Sequence, residues 1–370
     1  MSSFVPHNIP SEPVPAIAFG LGLIFVLVLV LPFRVRKVEE NLEPFFFIMG
    51  IFAVTISGLW SHELVKEAAI APVSIGGLPI GIFQVVLVAG LFIHFFNRQI
   101  YTAILALLNK IGLRVFVFIF VAVLGLISSL ISVIVTAVIM AEVIAALPVD
   151  RRKKVELTII TCFSVGMGAA LTPVGEPLST IAVSKLKGEP YYADFFFLFN
   201  LLGIYIIPGV LAVAAFGSFY ISKGVKMEKV HLPEYTESLR TVIVRALKVY
   251  LFVAALVFLG GGFTPLIIWY FTKIPPAILY WVNMISAILD NATLAAAEIG
   301  PYLEIYQIKS ALMALIISGG MLIPGNIPNI VAAGRLRITS KEWARLGVPL
   351  GLVLMLIYFV ILELEMAGIF

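Results

Sequence analysis

Apolar runs close to 20 residues long recur from Ala16 to Leu362, and nothing else in the chain limits its fold as much. At 1.5 Å of rise per helical residue, such a run matches the roughly 30 Å of hydrocarbon in a bilayer. Inside lipid the backbone N–H and C=O groups must be satisfied within the protein, so runs of this length cross as helices. Hydrophobic residues make up 61% of the chain and charged residues 12%, against about 45–50% and about 25% in soluble domains. The chain therefore reads as an all-α integral membrane protein, a single membrane domain over residues 1–370 with no separate soluble part.

Continuous apolar spans fall at 16–33, 44–60, 78–96, 155–186, 195–221, 249–271, 307–336 and 346–362, about eight crossings. The first is too long for the apolar core of a signal peptide and has no basic segment before it, so it is expected to stay as a helix. Two further stretches, 115–147 and 276–303, are too short for two crossings and long for one. Both carry polar residues at their middles, which predicts re-entrant hairpins whose irregular tips are buried in protein. With that topology, 20 of the 25 lysines and arginines fall on one side, in clusters within 34–37, 98–114, 151–154, 223–248 and 335–345. The positive-inside rule makes that side cytoplasmic and puts both termini outside, in a multi-pass protein of the cell membrane. Loop topology thus accounts for the net charge of +4, and nucleic acid is not an expected partner. The single cysteine, Cys162, allows no internal disulfide and no zinc cluster.

After N-terminal helices over 1–77, one pattern is written twice, over 78–221 and over 245–364: span, hairpin, span with two prolines, span. The copies start on opposite sides, around a cytoplasmic loop at 222–244, which makes an inverted-topology repeat. Thr172-Pro173-Val174-Gly175-Glu176-Pro177 in the first copy matches Ile323-Pro324-Gly325-Asn326-Ile327-Pro328 in the second, with prolines four apart in both. Each proline removes a backbone donor and clashes with the preceding turn, so both helices are predicted to break there. Carbonyls freed at a break, such as those around Gly175, can coordinate a cation, and the N-terminus of the second half-helix favours negative charge.

Asp290 lies in the polar island Ser286 to Thr293, inside the second hairpin. An ionisable group at bilayer depth costs roughly 2.5–3.5 kcal/mol on insertion scales. Asp290 and Asn291 could cap the second hairpin arm, but serine would do that at lower cost. Ion binding or proton exchange is therefore the expected role. Glu176, about 20 residues into an interrupted span, is a second candidate. Ser128, Ser132, Ser286, Thr172, Thr180, Thr293, Asn326 and Asn329 supply neutral oxygens near the same breaks and tips, or simply pack helices. Glu142 and Glu298 lie eight to ten residues beyond the tips, roughly 12–15 Å back toward the surface, where interfacial snorkelling is expected.

These islands resemble the ion transporter superfamily, in particular the NhaD-type sodium/proton antiporters and a related prokaryotic branch of cation transporters. The resemblance rests on Ser286 to Thr293 (S-A-x-x-D-N), Gly168 to Thr180 (G-A-A-L-T-P-V-G-E) and Ser318 to Leu336 (S-G-G-M-L-I-P-G-N-I-P-N). It implies elevator-like movement of the hairpins against a scaffold, a homodimer, and an ion site at Asp290, Asn291, Thr172 and Glu176. At the first hairpin this chain has Ser132-Val133 where the antiporters carry D-N, although Thr136 matches.

The expected function is secondary active exchange of sodium for protons, with Na⁺ bound by Asp290, Asn291 and broken-helix carbonyls. Cation and proton compete for one carboxyl because a cation favours its charged form and burial disfavours it. A sodium-coupled symporter of a small anion is the alternative; Asn326, Asn329 and Thr180 could serve it, but no lysine or arginine lies at midplane depth. An intramembrane aspartyl enzyme would need two facing aspartates, and Asp290 stands alone, so enzymatic activity is not expected. The expected partners are Na⁺, H⁺, the bilayer and a second copy of the chain, with no cofactor.

Overall fold

The computed structural model describes residues 9–10, 12–39, 41–74, 82–131, 133–223, 239–270, 275–301 and 303–369. Ser132 and most of the 222–244 loop lie outside them, as does His231. Among the described residues the protein is all-helical, with no strand. In chain order the helices are α1 Pro15–Arg34, α2 Arg36–Glu39, α3 Leu42–Ser57, α4 His62–Ile70, α5 Ile82–Ile131, α6 Val133–Ala146, α7 Arg151–Ala169 and α8 Pro177–Lys185. Then follow α9 Phe197–Ser222, α10 Leu239–Tyr270, α11 Pro276–Val282, α12 Asn291–Glu298, α13 Ile305–Gly319, α14 Ile327–Leu336 and α15 Ser340–Met366. Short 3-10 turns at Asn283–Ala287 and Ile323–Gly325 lead into α12 and α14.

Five helical stretches among the described residues are long and apolar enough to cross a membrane: Pro15–Pro32, Lys110–Ile131, Phe197–Ser222, Val242–Tyr270 and Ser340–Met366. The protein is thus a multi-pass helical membrane protein. The count falls short of eight for physical reasons. The spans at 155–186 and 307–336 are each two short helices, α7 with α8 and α13 with α14. The described part of the span at 78–96, from Ile82 on, belongs to the longer α5, which leaves helical geometry at Gly112 (φ 75°, ψ 156°). Lys110–Ile131, read from sequence as the first arm of a hairpin, is itself of spanning length.

The expected crossing at 44–60 is corrected by its contacts. Glu43 at the start of α3 pairs with Lys248 at 3.5 Å, and the Ala69 carbonyl at the end of α4 accepts from the Tyr250 hydroxyl at 2.9 Å. Those partners are two residues apart on α10, so the stretch starts and ends at one level of that helix. Local signals turn the chain: Gly58 ends α3 in the left-handed region (φ 69°), and the Ser61 hydroxyl caps α4 by accepting from Leu64 N–H at 3.0 Å.

The core is built on α7 and α13. Every residue of α7 from Val155 to Ala169 is buried, as is nearly all of α13 from Ile308 to Gly319. The second half of α5 lies against α7, and the α11 segment lies against α13. The following arms cross over: α6 packs on α14, and α12 packs on α8. Packing of α5 on α7 is close enough for backbones to touch, because a Cβ on Gly168 would stand 1.7 Å from the Gly125 carbonyl oxygen. The Ser164 and Ser128 hydroxyls reinforce that seam, donating at 3.0 Å to the Val121 and Val165 carbonyls respectively.

Basic groups gather at one end of the bundle. Arg151 donates to the Leu336 and Arg337 carbonyls and pairs with Glu342 at 3.1 Å. Lys153 donates to the Tyr220 carbonyl at 3.0 Å, and Ser218 to the Arg114 carbonyl at 2.7 Å. Elsewhere, α15 is tied to α13 by Lys309 with Glu365 at 2.6 Å and by Tyr306 with Glu363 at 2.8 Å.

Candidate functional site

Two helix breaks and the turn before α12 supply the site. Helix α7 stops at Ala169 and α8 starts at Pro177; α13 stops at Gly319 and α14 starts at Ile327. Proline is accommodated at the first turn of each second half, where its missing N–H breaks no intrahelical bond. The residues just before those halves, Glu176 (φ −151°, ψ 161°) and Asn326 (φ −153°, ψ 152°), share one extended backbone conformation and both occupy the cap position. Gly175 is required beside the first, since a Cβ there would lie 1.9 Å from the Ala169 carbonyl oxygen.

The Glu176 side chain is sealed, with 3% of the residue exposed, and neither carboxylate oxygen has a hydrogen-bond partner. Its electrostatic neighbours are the Asp290 carboxyl and the Asn291 and Asn326 amides. Asp290 is half-buried in the turn directly before α12, whereas Asn291 is 2% exposed and its Nδ2 has no partner. Asn326 Oδ1 accepts from Ile327 N–H at 2.8 Å. Asn329 Nδ2 donates to the Gly319 and Leu322 carbonyls, both at 2.8 Å, leaving its Oδ1 buried without a donor. The Ser286 hydroxyl donates to the Leu315 carbonyl at 3.3 Å, holding the 3-10 turn Asn283–Ala287 onto α13.

The remaining sequence candidates are spread over α5, the first break, α8 and α12. Thr172 donates to the Ser129 carbonyl at 2.5 Å, and Val133 N–H donates to the Gly175 carbonyl at 2.7 Å. Ser128 donates to the Gly125 carbonyl at 2.6 Å as well as to Val165. Thr180 is exposed and donates to the Pro173 carbonyl at 2.6 Å. Thr293 is in the first turn of α12. Glu176, Asp290, Asn291 and Asn326 therefore come together, whereas Thr172, Ser128 and the Gly175 carbonyl are engaged by hydrogen bonds within the fold.

Snorkelling is corrected for both Glu142 and Glu298. Glu142 is 8% exposed and pairs with Arg335 at 2.5 Å, joining α6 to α14; Glu298 is 4% exposed and accepts from Asn283 Nδ2 at 2.9 Å. Both carboxylates turn inward because a charged or amide partner is available on a packed neighbour, which lowers the cost of burial. Sequence reasoning missed these partners. Arg335 was read as a loop charge, and only the short spacing from Asn283 to Ser286 hinted that polar residues extend along the second hairpin.

A family model matches residues 18–364. The chain belongs to the family described as protein of unknown function DUF1646. No curated protein matches it. Chemistry at this DUF1646 site thus has to be read from its own donors. Among the described residues no three His, Cys, Asp or Glu side chains gather as a metal cage. The site instead offers two carboxyls, an idle amide donor and an idle amide oxygen at the ends of broken helices. Such hard oxygen donors suit hard cations.

Proposed function

We propose that the protein is a secondary active transporter that exchanges sodium for protons at Asp290, Asn291 and Glu176. The observation that carries this reading is the Glu176 carboxyl, buried without a hydrogen-bond partner and facing Asp290 and Asn291 between two helix breaks. A carboxyl that the fold itself does not use, at a depth where charge is costly, marks an ion path or proton relay. Asp290 is the primary cation ligand, with Asn291 and break carbonyls beside it, and no lysine or arginine is among the neighbours of Glu176 to favour an anion.

The transport architecture belongs to the same proposal. Repeats over 78–221 and 245–364 with hairpins at 115–147 and 276–303 are supported by the crossed packing of α6 on α14 and of α12 on α8. They are also supported by Arg114 and Lys153, which flank the first hairpin and meet α9 two residues apart, at Ser218 and Tyr220. The basic end faces the cytoplasm of a cell-membrane protein, and the protein works as a homodimer in which a domain made of the hairpins and the broken helices packed on them moves against a scaffold.

Proteoliposomes with an imposed pH jump, given sodium, lithium and potassium in turn, test the reading. Cation uptake is expected against the proton gradient, and Asp290→Asn is expected to abolish it while the protein still inserts and purifies. Wild-type rates in that variant would refute the role of Asp290.

A further inference from the structure

Glu142 and Glu298 stand in matching stretches of sequence, Ala141-Glu142-Val143 and Ala297-Glu298-Ile299, and both are buried. Their partners differ in kind. Glu142 meets the Arg335 guanidinium, a permanent positive charge. Glu298 meets the Asn283 amide, whose Nδ2 lies 2.9 Å from Oε2. An amide is neutral and carries a donor and an acceptor side by side, so it can face a carboxyl group in either protonation state.

Asn283 is fully buried and its Oδ1 has no donor, which is a costly state for an amide oxygen. That oxygen belongs to the same planar group whose nitrogen already touches Glu298. A proton on the carboxyl completes the arrangement, with O–H to Oδ1 beside N–H to Oε2. Turning the amide over does not remove the need, because Oδ1 would then stand 2.9 Å from a carboxylate oxygen, and only an O–H between two acceptors makes such a contact favourable. The pair is firmly placed: Asn283 opens the 3-10 turn with its carbonyl 2.8 Å from the Ser318 hydroxyl of α13, and Glu298 closes α12. Helix α12 packs on that turn and on α8, α10 and α13. The charged residues those helices carry are Lys185 in the last turn of α8, Lys309 of α13, which pairs with Glu365, and Arg240, Arg245 and Lys248 in the first turns of α10. Asp290 lies at the other end of α12, about 12 Å away along the helix axis.

We infer that Glu298 and Asn283 form a proton-binding site separate from the cation pocket, in which Glu298 donates its proton to Asn283 Oδ1, and, resting here on the exchanger reading, that this proton is released and regained during exchange. On release the O–H bond of Glu298 breaks, the proton passes to water, and the carboxylate keeps the bond from Asn283 Nδ2. On return the O–H bond forms again and Oδ1 regains its donor.

Infrared difference spectra of the purified full-length chain in liposomes, taken between mildly acidic and alkaline pH, read the C=O stretch of protonated carboxylic acids apart from the amide bands. A Glu298 acid band that disappears as pH rises is expected. Glu298→Gln keeps both bonds of the pair, its N–H standing in for the O–H, and is expected to fold, to lose that band and to lose sodium uptake driven by a pH jump, while sodium still raises its melting temperature. Asn283→Ala is expected to move the band to higher frequency, as the acid loses its hydrogen bonds, and it assigns the band if Glu298→Gln fails to fold. Absence of a Glu298 acid band, a band that pH does not change, or wild-type uptake in Glu298→Gln would each overturn the proposal. A wild-type protein that no alkali cation stabilises and that moves none overturns the exchanger reading, and a pH-dependent Glu298 band would then leave the proton site standing without that use.

Discussion

Glu176 and Asn326 hold the same position at the two broken helices, with backbone angles within about ten degrees of each other, yet their side chains do opposite things. Asn326 closes its own helix by accepting from Ile327 N–H, and Asn329 ties the loop behind it to Gly319 and Leu322. Glu176 makes no capping bond at all. The second break is thus held by its own side chains, whereas the first is held by its own Ser179 and Thr180 and also by bonds to the ends of α5 and α6, through Thr172 and Val133. A backbone shape can be shared while the polar group at its turning point is free in one copy and occupied in the other.

Five substitutions can break or sharpen this contrast. The largest effect is expected at Glu142→Ala, which strands Arg335 in the packed α6–α14 contact; a loss of about 3–5 kcal/mol is the usual result of removing one member of a buried pair. Denaturant unfolding of the micelle-bound chain would measure it, and a change below about 1 kcal/mol would remove the pair from the architecture. Asn329→Leu next takes two donors from break carbonyls and should lower stability by roughly 2 kcal/mol, at about 1 kcal/mol per hydrogen bond. Asn326→Ala loses a cap, for about 1 kcal/mol, and Thr172→Val loses one bond at the other break, for a similar amount; paired thermal melts would rank them. Glu176→Gln should change stability least, within about 0.5 kcal/mol, because no bond is lost. A destabilisation as large as that of Asn326→Ala would mean that the two caps are equivalent after all.

Sequence made the helix breaks and the polar tip legible because proline and buried charge are local signals: Pro177 and Pro328 open the second half-helices, and Asp290 sits at the turn before α12. Long-range pairing was not legible. Glu142 and Arg335 are 193 residues apart, and each alone has an ordinary interfacial explanation. The return of α3 through α4 was hidden for another reason. Leu42–Ser57 is apolar enough for a crossing, and only its 16-residue length, with Gly58 and Ser61 as stop and start, distinguishes it. Thr172 carries a site motif, but its engagement with Ser129 depends on where α5 ends, which the motif does not encode.

The contact between Gly125 and Gly168 leaves no room for even a methyl group between α5 and α7. Two rods touching peptide to peptide cannot slide apart to admit an ion from the side. The alternation proposed above would carry both as one piece. The bend at Gly112, where α5 abandons its helical path, sets that piece apart from the first half of the helix.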